Sequence, residues 1–198
     1  MGNGLRRENA AFAELDALLV GEDAGMQLLA HADSLASLLP VIGSMAECPQ
    51  NTPFHIYDVL EHTAHVVDAS PATSLSRWAA LLHDCGKPEC RYVDASGRDH
   101  FKGHAAVGAR IAQDELSRIG APRPLSDDIC TLVRMHEYYA GNDNDMKQVL
   151  DALGGRIELY RALISLQIAD SSAKAPGVTE RLESALRTRE RLEQIAWK

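Results

Sequence analysis

The chain predicts an all-α protein, and three observations predict it. Apolar residues return at spacings of three, four and seven in nine successive segments, the signature of amphipathic helices. No run alternates apolar and polar residues for long enough to predict a confident strand. The apolar content is aliphatic: 45% of the 198 residues are hydrophobic and only 5% aromatic, which suits a core of Leu, Ala, Val and Ile.

The first helix falls over 6–19, where Leu5, Phe12, Leu15, Leu18 and Leu19 share a face. A second covers 25–38 and stops before Pro40. The stretch "ECPQNTP" then reads as a loop, because Pro, Asn and Gln cluster there. Helices follow over 56–68, 75–84, 103–119, 126–138, 145–153 and 156–171. Between two of them, "CRYVDASGRDHF" leaves room for a short hairpin near 91–101, turning at Ser96-Gly97. The last helix, 178–196, sets Leu182, Leu186, Leu192 and Ile195 amid balanced charges, with Glu183 and Arg187 as an i,i+4 pair. Its matched acids and bases suit a solvated helix packing one apolar edge, not a nucleic-acid arm, and that edge leaves room for a homodimer. With no repeat or linker, residues 1–198 read as one domain large enough to bury a real core.

Charge narrows the partners. Twenty-eight acidic residues against twenty basic ones give a net charge of −8, so the surface as a whole repels a phosphate backbone. Long nucleic acid is therefore disfavoured, while a local basic pocket is not. Cys48, Cys85, Cys90 and Cys130 show no C-x-x-C spacing and read as reduced thiols. With no secretory leader and no apolar run of membrane-spanning length, a cytoplasmic protein without membrane contact is expected.

The histidines carry the chemistry. His62 lies on the apolar stripe between Val59 and Val66, and His83 follows Leu75, Ala79, Ala80 and Leu82. His104 opens the stripe of Val107 and Ile111, and His136 closes that of Ile129, Leu132 and Val133. Asp170 closes another, Leu159, Leu163 and Leu166. Each spacing turns a ligand-type side chain toward the inside of its helix. Burying one such group without a partner costs about 2–7 kcal/mol, and more if it is charged. Five unrelated hydrogen bonds would satisfy five such groups, whereas one shared cation satisfies them all at once.

Imidazoles and carboxylates without thiolates suit a divalent ion of the Mn, Fe, Co, Ni or Zn type. Six candidate ligands, His62, His83, Asp84, His104, His136 and Asp170, exceed the four of a closed structural zinc. They suffice for one octahedral ion with open positions, or for two ions bridged by Asp84. Open positions provide a hydroxide nucleophile near neutral pH. Lys87 and Arg134 are the cations nearest these ligands in sequence and are candidates to hold a substrate phosphate, as are Lys102 and Arg98. His65 is a candidate for lining the cleft, with His100 and His55 weaker. Asp58 is a candidate for supporting His62 from one turn away or for an exposed helix-start carboxylate, and Cys85 should point away from the ligands.

The order His62, then His83-Asp84, then Asp170 resembles the HD superfamily of metal-dependent phosphohydrolases. "HDCGKP", "HFKGHAAVGA", "LVRMH" and "IAD" follow in the right sequence, and His104 and His136 match the subset with additional histidines. Over about residues 5 to 175 the chain is similar to the C-terminal HD domain of bacterial CCA-adding tRNA nucleotidyltransferases, through "QNTPFHIYDVLEHTAHVVDA", "RWAALLHDCGKP" and "HFKGHAAVGARIA". The segment "ELDALLVGEDAGMQLLAHADSLASLLPVI" resembles the helical region before that domain. The Gly-Ser turn and paired aspartates of a nucleotidyltransferase head have no counterpart in these residues, so CCA addition by this chain alone is not expected. Cys85 stands where an aliphatic residue is usual.

The resemblance implies a helical bundle around a metal site, with 1–50 as a helical segment packed on an HD core at 51–175 and a C-terminal helix at 176–198. It implies one or two divalent ions (Mg among them) and hydrolysis of a small phosphorylated substrate, foremost a nucleotide or 2′,3′-cyclic nucleotide. Asp84 and Lys87 are then the candidate catalytic residues, and Lys87, Arg134, His65 and Lys102 the candidate substrate contacts. The rival expectation is a non-catalytic helical module that binds tRNA or a protein, its metal site regulatory. A third is one half of a split tRNA-processing enzyme.

Overall fold

The computed structural model describes residues 2–175 and 177–194, with side chains from residue 10 onward. Ile195 of the last predicted helix and the side chain of Leu5 lie outside the described residues. The elements run α1 (Gly2–Leu19), α2 (Ala24–Ala30), α3 (Ala32–Leu38), α4 (Val41–Ala46), α5 (Val59–Ala69), α6 (Ser74–Leu82) and α7 (Lys87–Cys90). They continue with β1 (Tyr92–Val93), β2 (Asp99–His100), α8 (His104–Arg118), α9 (Arg123–Met135), α10 (Asp143–Ala152), α11 (Ile157–Ser172) and α12 (Glu180–Gln194). Among the described residues the structure is all-α apart from one antiparallel ribbon pairing Tyr92 with His100 and Val93 with Asp99.

Helix α6 is the hub. It packs on α5, α9 and α11, and every residue from Arg77 to Leu82 is buried. Its start is fixed by Thr73, whose hydroxyl accepts the Ser76 amide at 3.3 Å, an N-cap for an otherwise orphaned donor. Trp78 stacks on Phe12 of α1 at 5.5 Å and donates its indole N–H to Asp16 at 2.9 Å. Asp58 caps α5 by accepting the Glu61 amide at 2.8 Å, so it is a helix-start carboxylate rather than a support for His62.

Two glycines bring the far side of the bundle close. A Cβ at Gly86 would fall 2.2 Å from the His104 carbonyl oxygen and 2.5 Å from the Gly108 amide nitrogen. Only glycine lets the turn after α6 press against the backbone of α8 at that separation. The same contact receives the Cys85 thiol, which points to the Gly108 carbonyl, away from the ligands.

Three local features depart from the sequence expectations. The segment 25–38 is broken at His31 into α2 and α3, yet Leu28, Leu35 and Leu39 keep seven- and four-residue spacings across the break. The periodicity therefore reads as one helix. Pro40 ends α3 but also begins α4, because its fixed φ suits a helix entry, and Val41, Ile42 and Met45 are buried there. The short α7 follows Gly86, with Pro88 in its first turn. The apolar edge of α12 is used within the chain: Ala185, Thr188 and Leu192 are buried and the helix packs on α11. Of the predicted edge, Leu192 is buried while Leu182 and Leu186 are half-buried. No helix among the described residues is long and apolar enough to cross a membrane.

Candidate metal centre and its cavity

Five helices deliver six buried ligand-type side chains to one place. His62 comes from the middle of α5 and His83-Asp84 from the C-terminal end of α6. His104 opens α8, His136 ends α9, and Asp170 lies in the last turns of α11. Two groups of ligand atoms each lie within 4.8 Å of one another: His62, His83 and Asp84, and Asp84, His104 and His136. Asp84 belongs to both.

Its two carboxylate oxygens divide the work. Oδ2 lies 3.2 Å from His83 Nε2 and 3.6 Å from His62 Nε2. Oδ1 lies 3.1 Å from His104 Nε2 and 3.7 Å from His136 Nε2. Asp170 flanks the first group, its Oδ1 at 3.1 Å from His62 Nε2 and 3.9 Å from His83 Nε2.

The rings are aimed by their own helices. Nδ1 of His83, His104 and His136 reaches the carbonyl oxygen three residues earlier, of Ala80, Phe101 and Val133, at 2.7, 2.9 and 2.7 Å. A carbonyl only accepts, so each Nδ1 carries a proton, and each ring is fixed with Nε2, the atom its own helix does not use, turned inward. Metal-binding imidazoles are oriented in this way. His83 Nε2 is buried with no hydrogen-bond partner, and the Nε2 atoms of His104 and His136 face each other at 3.2 Å. Converging lone pairs with two carboxylates and no thiolate fit a divalent cation of the N/O-preferring kind.

Electrostatics hold both carboxylates, His62 and His136 in the forms an ion needs. Burial favours the neutral acid at Asp84, but His83, Lys87 and the hydrogen bond from His104 outweigh it and keep the carboxyl well below its ordinary range. Asp170 is likewise held down against its burial, by His62 and Lys174. Burial lowers His62, and burial with the neighbouring His83 lowers His136 to about 4. His104 is raised: burial opposes its charge, but the hydrogen bond and charge of Asp84 outweigh burial.

A cavity of about 740 Å³ opens over the centre, with Asp84, His104, His136 and Asp170 in its floor. Lys87, Lys102, Arg98, His100 and His55 line it, as their sequence positions suggest. Lys87 is buried and donates to Asp84 Oδ2 and to Gln50 Oε1, both at 2.6 Å. Arg134 and His65 lie elsewhere. Arg134 stands two residues before His136, about 200° around the helix, and is exposed outside the cavity. His65 lies beside the inner stripe of α5 and is exposed, its ring tilted 35° against Tyr57 at 4.5 Å.

Two contributors escape a reading of the sequence. Lys174 donates to Asp170 Oδ2 at 2.7 Å, and its i,i+4 spacing from Asp170 was the available signal. Gln50 anchors Lys87 while its amide nitrogen donates to the carbonyls of Tyr57 and Asp58, and no local pattern marks it. Burial pushes the Cys85 thiol up, so it is an unreactive group rather than the oxidation-sensitive one its place beside Asp84 invites.

The fold and this centre define an HD domain: the family model of that description matches residues 54–174, and the chain belongs to that family. Its domain is therefore of the metal-dependent hydrolase type. The chain is 34% identical over 176 residues to the A-adding tRNA nucleotidyltransferase of Deinococcus radiodurans, covering 84% of this chain and 40% of that protein. It is 36% identical over 131 residues to the CC-adding tRNA nucleotidyltransferase of Thermus thermophilus, covering 62% and 30%. It is also 30% identical over 185 residues to a bifunctional uridylyltransferase/uridylyl-removing enzyme of Mycobacterium tuberculosis, covering 83% and 22%. The chain thus spans well under half the length of these curated relatives.

Proposed function

We propose that the protein is a metal-dependent phosphohydrolase acting on a small phosphoester, foremost a nucleotide or 2′,3′-cyclic nucleotide. The observation that carries this reading is the division of Asp84, in the floor of a cavity, between two buried histidine pairs, of which His104 and His136 also line that floor. His62, His83, Asp84 and Asp170 would hold one divalent ion, and Asp84, His104 and His136 would hold a second ion or face the substrate phosphate. A bound ion would supply Lewis-acid polarisation of a phosphoryl oxygen and ease ionisation of a water near neutral pH.

The chain's own residues do the rest. The three backbone-locked histidines keep their lone pairs aimed without reorganisation, which is where preorganised sites gain rate. Lys87 has three ammonium protons and spends two on Asp84 and Gln50. The third is left for a phosphoryl oxygen in the cavity that Lys87 lines. Lys102 at the rim adds positive charge for an incoming anion, while the net charge of −8 favours a small diffusing substrate over a long polyanion.

The test is phosphate or alcohol release from a panel of nucleotides and 2′,3′-cyclic nucleotides, with metal-loaded wild type beside Asp84→Ala. Turnover present in the wild type and absent in the variant supports the reading. Equal, negligible turnover in both overturns it for these substrates and favours the non-catalytic helical module.

A further inference from the structure

One wall of the cavity carries side chains that the chemistry at the floor does not use. Phe54 and Tyr92 both line it, and they are 50% and 53% exposed. Each ring has one face backed. The Arg98 guanidinium lies over Phe54 at 5.6 Å from its centroid, and His100 stacks under Tyr92 at 4.9 Å with the planes 15° apart. His100 is itself pinned by Asp94 at 2.7 Å.

The two rings stand on different pieces of chain that are tied into one wall. Asp99, a buried carboxylate, accepts the Asn51 amide at 2.7 Å and the Arg91 side chain at 2.8 Å. The Asn51 side chain donates to the Gly97 carbonyl at 2.6 Å, and the Asp99 amide donates back to the Asn51 carbonyl at 3.1 Å. The loop holding Phe54 is thereby fastened to the ribbon holding Tyr92. Fixed aromatic rings, backed on one face and bordered by cations, are how proteins hold the flat face of a base next to a phosphate.

We propose that this wall is a stacking platform for the nucleobase of the substrate, a proposal that rests on the phosphoester-hydrolase reading above. The base is held by its face rather than by hydrogen bonds to its edge, so purines and pyrimidines are both accepted while a phosphoester without a base is not. The acidic surface assigns the base to a free nucleotide rather than to an RNA strand.

The test is calorimetric titration of metal-loaded protein with AMP, CMP, ribose 5-phosphate and a trinucleotide, product formation being followed in the same samples. Stacking predicts that AMP and CMP bind about tenfold or more tightly than ribose 5-phosphate. Phe54→Ala and Tyr92→Ala bring that ratio toward one, and Phe54→Trp keeps it. Both positions are half exposed, so these variants should fold. A wild-type ratio near one, or one unchanged in both alanine variants, overturns the platform. Tight binding of the trinucleotide alone overturns the free-nucleotide assignment. The two readings fail separately. Turnover lost in Asp84→Asn with a binding ratio of one leaves the hydrolase and removes the platform. A base preference with no turnover of any phosphoester leaves the platform and removes the hydrolase.

Discussion

Helix α6 buries polar groups at both ends, and the two ends treat them differently. Near its start, Trp78 and Ser74 both donate to the Asp16 carboxylate, at 2.9 and 3.0 Å, so that this cluster is satisfied, while Nε and Nη1 of the neighbouring Arg77 make no hydrogen bond. Beyond its last turn, His83 leaves Nε2 buried and unpartnered, and four imidazoles converge on one carboxylate. A fold gains stability from the first arrangement and loses some from the second. Burial of polar side chains is thus no sign of function by itself. Burial of ligand-type side chains that converge from several elements on one carboxylate is.

The largest effect should come from the unsatisfied end. Asp84→Asn keeps the shape but removes the charge serving both histidine pairs, and we expect turnover to fall about a thousandfold or more. Metal content of the purified variant should drop with it; a variant that retains its full metal content would break the contrast. At the satisfied end, Trp78→Ala should cost about 3–5 kcal/mol in denaturant unfolding. Metal bound per folded molecule should stay as in the wild type. Asp16→Ala is smaller, about 1–3 kcal/mol, since it strands the Trp78 and Ser74 donors without opening a large cavity. An unchanged melting temperature there would mean that solvent replaces the carboxylate and that the two ends differ less than their geometry suggests.

Acid sharpens the comparison further. His136 sits at about 4 in the fold against an ordinary 6.5, so its contribution is complete above pH 6.5 and is lost as the pH falls toward 4. His55, lowered to about 3 by burial and by Lys87, behaves alike. His104 is raised and works in the opposite sense, favouring the fold below pH 6.5. Chelator-treated protein should lose about 1–2 kcal/mol for each of His136 and His55 between pH 7 and 5, with His104 acting in the opposite direction. Asp84 and Asp170, held below the ordinary carboxylate range, keep their contribution at pH 5 and surrender it only in stronger acid. Unfolding measured at both pH values, with and without Asp16→Ala, should show the acid effect unchanged by the variant.

The buried ligand cluster was legible because helical spacing puts His62, His83, His104, His136 and Asp170 on apolar stripes, and stripes face inward. The rim of the cavity was not. Gln50 and Phe54 lie in a loop and Tyr92 in a two-residue strand, where no period links sequence to direction. Arg134 shows the complementary error, because closeness in sequence to a ligand is not closeness in angle around a helix, while His65, about 60° from His62, falls just past the edge of the inward stripe. The break at His31 was invisible for the same reason that the ligand cluster was readable, since the spacing of leucines runs straight through it.

Three of the histidines take their bearing from a carbonyl one turn back on their own chain. Each ring is therefore set by a local instruction, complete before the other helices arrive. Assembling the centre becomes a matter of docking prefabricated parts, and the tolerance of the whole is that of helix packing. A core substitution remote from every ligand, if it slides one helix by a fraction of an ångström, should detune the centre while leaving each ring's own bond intact.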